Sequence, residues 1–371
     1  MTVFARRHLR RALSLTRLLA DPTTRCQRLL PRVAALTLLC LAIILSSTAC
    51  RSASPETVVV YTSVDQVISE PVLKEFEAAS GVKVEAVYDV EAAKTTGLVS
   101  RLLAERSRPR ADVFWSSEFA QTIFLKGQGV LEAYRSPSAA EIPAEYRDPD
   151  GHWTGFGARA RVILVNTDLV QQDKHPRSIF QLADGTWGEG EVAIANPLFG
   201  TTATHAAALF AQMGDQKAAE FFRSLLQRKV MVVDGNSVVR DMVVRGEVKA
   251  GLTDTDDAHE AIAKGAHVRM IIPDQDADHP LGTLVIPNTA AIVKGGPHPS
   301  TARKLIDYLT SAELESRLAR SGSLQMPVRR GVSTPAEVPA LSSLKPMRVS
   351  LQEIADRLPF SSQWLRENFL R

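Results

Sequence analysis

The stretch Ile194-Ala195-Asn196-Pro197-Leu198-Phe199-Gly200-Thr201-Thr202-Ala203-Thr204-His205-Ala206-Ala207-Ala208-Leu209 decides how the rest of the chain is read. Residues 192–195 are apolar enough for a β-strand, Pro197 and Gly200 mark a turn, and three threonines open an Ala-rich helix. The first four N–H groups of a helix lack intrahelical partners, so hydroxyls gathered there make a place for an anion. A plain N-cap accounts for one such threonine. Three hydroxyls around one glycine suit a ligand, and Thr201, Thr202 and Thr204 are the first candidate binding residues.

Upstream, Val58-Val59-Val60-Tyr61 is a continuous apolar run, as expected of a strand buried on both faces of a parallel sheet. It ends in Thr62-Ser63-Val64-Asp65-Gln66, followed by an amphipathic helix from about Glu70 to Ser80 that Gly81 stops. A strand over Val82 to Tyr88, a helix over Ala92 to Glu105, a strand over Ala111 to Trp115 and a helix over Phe119 to Gly127 continue the alternation. The order βαβαβα predicts a doubly wound α/β lobe. In such sheets ligands sit beyond the carboxyl ends of the strands, where Ser63, Asp65, Ser116, Ser117 and Glu118 fall.

Downstream the same logic repeats. Arg159 to Asn166 reads as a strand, Phe180 to Gly190 as a loop, and Val230 to Val233 as a strand leading to Gly235-Asn236-Ser237 at a helix start. Ala250 to Thr253 is a strand ending in Asp254-Thr255-Asp256-Asp257, which opens another helix. Two lobes with polar residues at strand ends would face each other across a cleft. Leu284 to Val293 is apolar enough for a core strand, Thr301 to Leu309 and Ala312 to Arg320 are helical by spacing, and a final helix falls near Leu351 to Arg357. No repeat of solenoid period is present.

With 371 residues, 45% of them hydrophobic, the chain can bury the cores of two ordinary domains. Its formal charge of +3 misleads, because the first fifty residues hold eight arginines and one acid, Asp21; taking that +7 from +3 leaves −4 for the remainder. A nucleic-acid partner therefore has no electrostatic footprint. The same fifty residues carry all three cysteines, Cys26, Cys40 and Cys50. Residues 33–45 are apolar apart from Thr37, follow arginines and precede Ser46-Ser47-Thr48-Ala49-Cys50, the pattern of an export leader and too short for a comfortable membrane span. Thr48-Ala49-Cys50 resembles the end of a bacterial lipobox, with Ser47 where Leu is usual, so Cys50 is the expected lipidation site. The residues before Arg25 exceed what such a leader needs, which leaves room for a start further downstream.

Among polar features the trio Asp254, Asp256 and Asp257 is the sharpest. An acidic first turn is favoured by the helix dipole alone; the functional reading is that these carboxylates coordinate a hard cation or meet an amine of the ligand. Enzyme motifs are missing: no Gly-Xaa-Ser-Xaa-Gly elbow, no phosphate loop ending in Gly-Lys-Ser/Thr, no paired-His metal motif. His205, on an Ala-rich helix, reads as a packing residue and not a base. Arg159 and Arg161 alternate on a strand and share one face, as an anion clamp or as a solvated pair.

Taken together, Val59-Val60-Tyr61-Thr62-Ser63, Ala111-Asp112-Val113-Phe114-Trp115, Ile142-Pro143 with Arg147 to Trp153, Gly157 to Arg161 and Gly235-Asn236-Ser237 resemble, in order and spacing, the family 1 extracellular solute-binding proteins of ABC transporters, which include periplasmic ferric-ion-binding proteins. The resemblance, from about Val58 to Val332, implies a periplasmic-binding-protein-like type II fold: two doubly wound α/β lobes joined by two crossing hinge strands, near 161–166 and 283–288. The expected division is a leader over 1–50, a tether over 51–57, a first lobe over 58–160, a second over 161–282, and a return to the first lobe with C-terminal helices over 283–371. Family iron receptors hold Fe(III) with a His and a Glu from the first lobe, a Tyr pair from the second, and an anion. Here the His position falls at Asp65, the Glu position at Ser117 or Glu118, and the Tyr pair at Asp256-Asp257. Thr201 and Thr202 match the helix-start hydroxyls, and Asn236 and Asp254 match polar positions beside the anion, with Ser237 adjacent.

Two cargoes stay open: a metal ion, whether Fe(III), Ca, Mg or Mn, held with an anion by Asp65, Asp256 and Asp257; or an organic phosphonate or sugar phosphate with an amine or hydroxyls facing the aspartates. The expected role is a monomeric periplasmic receptor, tethered through Cys50, that delivers its solute to an ABC permease in the inner membrane and catalyses nothing. A secreted enzyme on the same scaffold is the alternative of another class.

Overall fold

The structure is a computed structural model and describes residues 56–89 and 95–370. The export leader, Cys50, the tether up to residue 55 and the first residues of the helix expected from Ala92 lie outside the described residues.

Strand β1 (Thr57–Thr62) pairs in parallel with β2 (Lys83–Tyr88) on one side and β3 (Val113–Ser116) on the other. The connecting helices are α1 (Gln66–Ser80) and α2 (Thr96–Ala104), and α3 (Ala120–Gly127) leaves β3. Helix α1 begins four residues earlier than its apolar spacing suggests, and tolerates Pro71 in its second turn, close to the end where proline's missing N–H costs least. Gly81 ends it at φ 71°, donating its N–H to the Glu77 carbonyl, a conformation that penalises a residue with a Cβ.

A two-residue strand β4 (Leu131–Glu132) precedes the long β5 (Thr154–Asn166), buried over all thirteen residues. Beyond it come β6 (Val192–Ala195), α4 (Gly200–Met213), α5 (Asp215–Gln227), β7 (Met231–Val233), α6 (Asn236–Val244), β8 (Ala250–Asp254), α7 (Thr255–Ala263) and β9 (Val268–Ile271). The chain then returns through β10 (Val285–Val293), α8 (Pro299–Leu309), α9 (Ala312–Arg320) and α10 (Leu351–Asn368).

Strand β5 organises the whole. Its first half pairs antiparallel with β10, ending at Ala160 opposite Val285; its second half pairs with β8, starting at Arg161 opposite Asp254, and with β9. One strand thus passes from a sheet ordered β2-β1-β3-β10-β5 into a sheet ordered β5-β8-β6-β7. At the crossing the Arg161 carbonyl accepts from the Thr283 hydroxyl at 2.6 Å and its N–H donates to the Leu284 carbonyl, so the outgoing and returning chains touch at one point. The two sheets with their helices are the two doubly wound lobes of a type II periplasmic-binding-protein fold.

Helix α10 departs from expectation in length and in place. It opens with a Ser350–Glu353 capping box and runs eighteen residues, through Pro359, past the Arg357 end that apolar spacing suggests. It packs on α4 of the second lobe as well as on α3 of the first. The cause is an aromatic face on the α4–α5 pair: Trp364 lies 5.5 Å from Phe210 and Phe369 lies 5.5 Å from Phe222, centroid to centroid. That face would otherwise be open to water.

Candidate functional site

Three helices of the second lobe, α4, α6 and α7, aim their N-termini at one cleft. Their N-cap residues are Phe199, Gly235 and Asp254, and none makes a side-chain capping bond. Thr201 and Thr202 stand inside the first turn of α4 and not at its cap. The first-turn N–H groups of α4 and α6 are left for water or a ligand, whereas in α7 the Asp257 N–H donates to Asp256 Oδ1 at 3.2 Å; the partial positive charges of the helix ends add together.

Beneath this pole lies a buried network. Arg161, with no exposed surface, donates from Nη1 to Asp254 Oδ1 at 2.7 Å, to Asn236 Oδ1 at 3.1 Å and to Thr201 Oγ1 at 3.3 Å. The Thr201 hydroxyl in turn donates to Asp254 Oδ2 at 2.6 Å, and Asn236 Nδ2 donates to Thr201 Oγ1 at 2.8 Å and to Asp254 Oδ2 at 3.1 Å. Asp254 fails to cap its own helix because its carboxylate is taken by this network.

The other two aspartates also have arginines. Asp256 lies 3.5 Å from Arg159 Nη1 and Asp257 lies 3.5 Å from Arg240 Nη1, while Thr253 Oγ1 donates to Asp257 at 3.1 Å. Arg159 is itself held by Asn288, whose Oδ1 accepts from Nη2 at 2.7 Å, and its Nε makes no hydrogen bond. Burial alone would favour neutral Arg159, but the charges of Asp256, Asp254, Asp65 and Asp257 outweigh it and leave its pKa raised. Oxygens of Asp254, Asp256 and Asp257 come within 4.8 Å of one another, near enough to share an ion. The fit to a metal is nonetheless poor. Each carboxylate already meets a guanidinium, so an incoming dication would be repelled by three cations at short range. All five tyrosines of the chain are among the described residues and none lines the cleft, so no phenolate is present for Fe(III).

Of the residues singled out by sequence, Asp65, Ser117, Thr201, Thr202, Asn236, Ser237, Asp254, Asp256 and Asp257 line this one cleft, an empty volume of about 450 Å³. Ser63, Glu118 and Thr204 stand behind it. Ser63 Oγ accepts from the Ser117 N–H at 3.0 Å and so orients that loop. Glu118 accepts from the N–H groups of Ala120 and Gln121 at the start of α3 and from the Thr204 hydroxyl of the facing lobe. Burial pushes its pKa up to about 7, against these hydrogen bonds and Arg159. His205 is buried, and desolvation, with Arg161 nearby, holds its pKa well below the usual value; it is a neutral packing residue. Sequence reasoning missed Asn196, Phe199 and Asp234 in the cleft, and Arg240 beside it. Asn196 before Pro197 is an Asx-turn signal, confirmed by its side chain accepting from the Leu198 N–H at 3.0 Å; Arg240 had no signal beyond standing one turn after Asn236.

A second cluster with metal-ligand spacing, Asp148, Asp150 and His152, is also closed to a metal. The Lys126 ammonium sits between Asp148 and Asp150 at 2.6 and 2.8 Å, in the position a cation would take.

Comparison with known proteins agrees with this architecture. Residues 109–357 match the family model described as bacterial extracellular solute-binding protein. Iron uptake protein A1 of Synechocystis is 26% identical over 304 residues, covering 79% of this chain and 81% of that protein. Among solved structures, the periplasmic binding protein AfuA of Actinobacillus pleuropneumoniae, with fructose-6-phosphate bound, superposes with TM-score 0.76 at 24% identity, covering 86% of this chain and all of that one. Iron-bound HitA of Pseudomonas aeruginosa superposes with TM-score 0.74 at 22% identity, over 83% of this chain and 99% of that one. One fold thus accompanies both cargoes, and the choice between them rests on side chains.

Proposed function

The chain belongs to the bacterial extracellular solute-binding proteins, and from that premise we propose that it is the receptor of an ABC importer whose cargo is a small organic phosphate or phosphonate. The observation that carries the reading is the pairing of Asp254, Asp256 and Asp257 each with its own arginine beneath three uncapped helix N-termini. The arginines offset the charge of that trio, and the helix starts add a positive backbone dipole, which favours an anion at the helix starts over a bare cation at the trio. The phosphoryl group meets the first-turn N–H groups of α4 and α6 and the hydroxyl of Thr202, with Thr201 beside it. Asp65, Asp256 and Asp257 accept hydrogen bonds from hydroxyl or amino groups of the organic part. Closure of the lobes about β5 and β10 buries the ligand and changes the surface that the permease meets. The protein acts as a monomer in the periplasm, tethered through Cys50, and turns over nothing.

Native mass spectrometry with metal analysis of protein taken from periplasm without chelator tests the cargo. An organic phosphate mass and no stoichiometric metal is expected. Stoichiometric Fe(III), with affinity lost in Asp256→Ala and Asp257→Ala, would overturn the reading in favour of the cargo in the names of its iron-binding relatives.

A further inference from the structure

The cleft does not end at its aspartates. Asp65, Ser237, Asp256 and Asp257 line it and also line a second cavity, an empty volume of about 1330 Å³ that opens from it. The four residues form a polar collar between the two. Beyond the collar one side of the wall is apolar, with Val67, Ile68, Pro71 and Val72 from the first two turns of α1 and Leu318 from α9, while Glu260, Arg317, Ser321 and Ser323 keep the rest polar. Opposite them lies Arg240, whose guanidinium is anchored by Asp241 at 2.8 Å and by Glu260, and so presents a planar cation along the cavity.

Resting on the phosphate reading above, we infer that the cargo is a tailed phosphate monoester: a phosphoryl group at the helix N-termini, hydroxyl or amino donors at the collar, and a ring with an apolar face in the outer cavity. Three features require the tail. The outer cavity, about 1330 Å³ against about 450 Å³, is the larger of the two and shares four lining residues with the inner cleft. Val67, which lines the outer cavity, is 80% exposed, an apolar surface that a bound ring would cover. The anchored guanidinium of Arg240 is the group that stacks on a planar ring, and it is already held in place by carboxylates, so stacking orders no further side chain. A hexose phosphate would leave that wall and that guanidinium in water.

Calorimetry on the full receptor with inorganic phosphate, ribose 5-phosphate, adenosine 5′-monophosphate and uridine 5′-monophosphate separates the parts. At least one nucleotide is expected to bind tenfold or more tightly than ribose 5-phosphate. Gly322 lines the outer cavity and a Cβ there meets nothing within 4 Å, so Gly322→Trp is the variant chosen to fill it. That variant, and independently Val67→Asp on the surface, is expected to bring nucleotide affinity down to the ribose 5-phosphate value and leave ribose 5-phosphate unchanged. Nucleotides binding no more tightly than ribose 5-phosphate, or both variants leaving the difference intact, would overturn the tail. Failure of every phosphate in the series, ribose 5-phosphate included, would instead overturn the phosphate reading on which it rests.

Discussion

The Thr204 hydroxyl, one turn into the helix whose start forms the anion pole, donates across the cleft to the Glu118 carboxylate at 2.8 Å. The same carboxylate holds the first turn of α3. A buried acid thus ties the lobes together behind the lining of the cleft.

Burial sets the sign of the first prediction. With its pKa raised to about 7 from 4.5, Glu118 binds a proton more tightly in the folded than in the unfolded chain. Its contribution is fully present below about pH 4.5 and is lost as pH rises to about 7, a fall of up to about 3 kcal/mol at ~1.4 kcal/mol per unit. Urea unfolding of wild type and Glu118→Gln between pH 4.5 and 8 should show the wild type losing stability relative to the variant across that window. Parallel profiles would mean that Glu118 does not titrate there.

Thr202 is the threonine to alter at the anion pole, because the Thr201 hydroxyl also serves Asp254 and Asn236 while that of Thr202 only approaches Asn236 at 3.4 Å. Thr202→Val should weaken phosphate-monoester binding by about 1.5–3 kcal/mol, the range for a hydrogen bond to a charged group, with little change in the urea midpoint. Unaltered affinity in calorimetry would remove Thr202 from the site.

Arg161 and Asp254 are both almost wholly buried, so removing either leaves an uncompensated charge. Arg161→Met should cost about 3–5 kcal/mol of stability, and adding Asp254→Asn should recover a good part of it. Additive losses in the double-mutant cycle would show that the two side chains are not coupled.

The α/β alternation, the threonine-rich helix start, the serine loops after β1 and β3, and the aspartate trio were all legible, since each depends on residues a few positions apart. Apolar periodicity specifies an element, and polar residues at its end specify which end faces a ligand. The likeness to solute-binding proteins was legible in the same way, as an order of local motifs. The boundaries of α1 and α10 were less so: the first turn of α1, before Pro71, carries little apolar spacing to mark it, and α10 continues through Pro359 past the end that spacing suggests.

What the sequence by itself determined, then, is which elements form and which ends of them are polar: hydrogen bonds and side-chain spacing within one element are set by neighbours in the chain. What only the tertiary structure decided is the charge state of the cleft. The aspartates at 254, 256 and 257 read as a site for a cation or an amine until Arg161, Arg159 and Arg240, which lie from 17 to 97 positions away in the chain, are brought against them one for one. Coulomb energy depends on distance in space and on how much water remains between the charges, and neither is written in the spacing of residues along the chain.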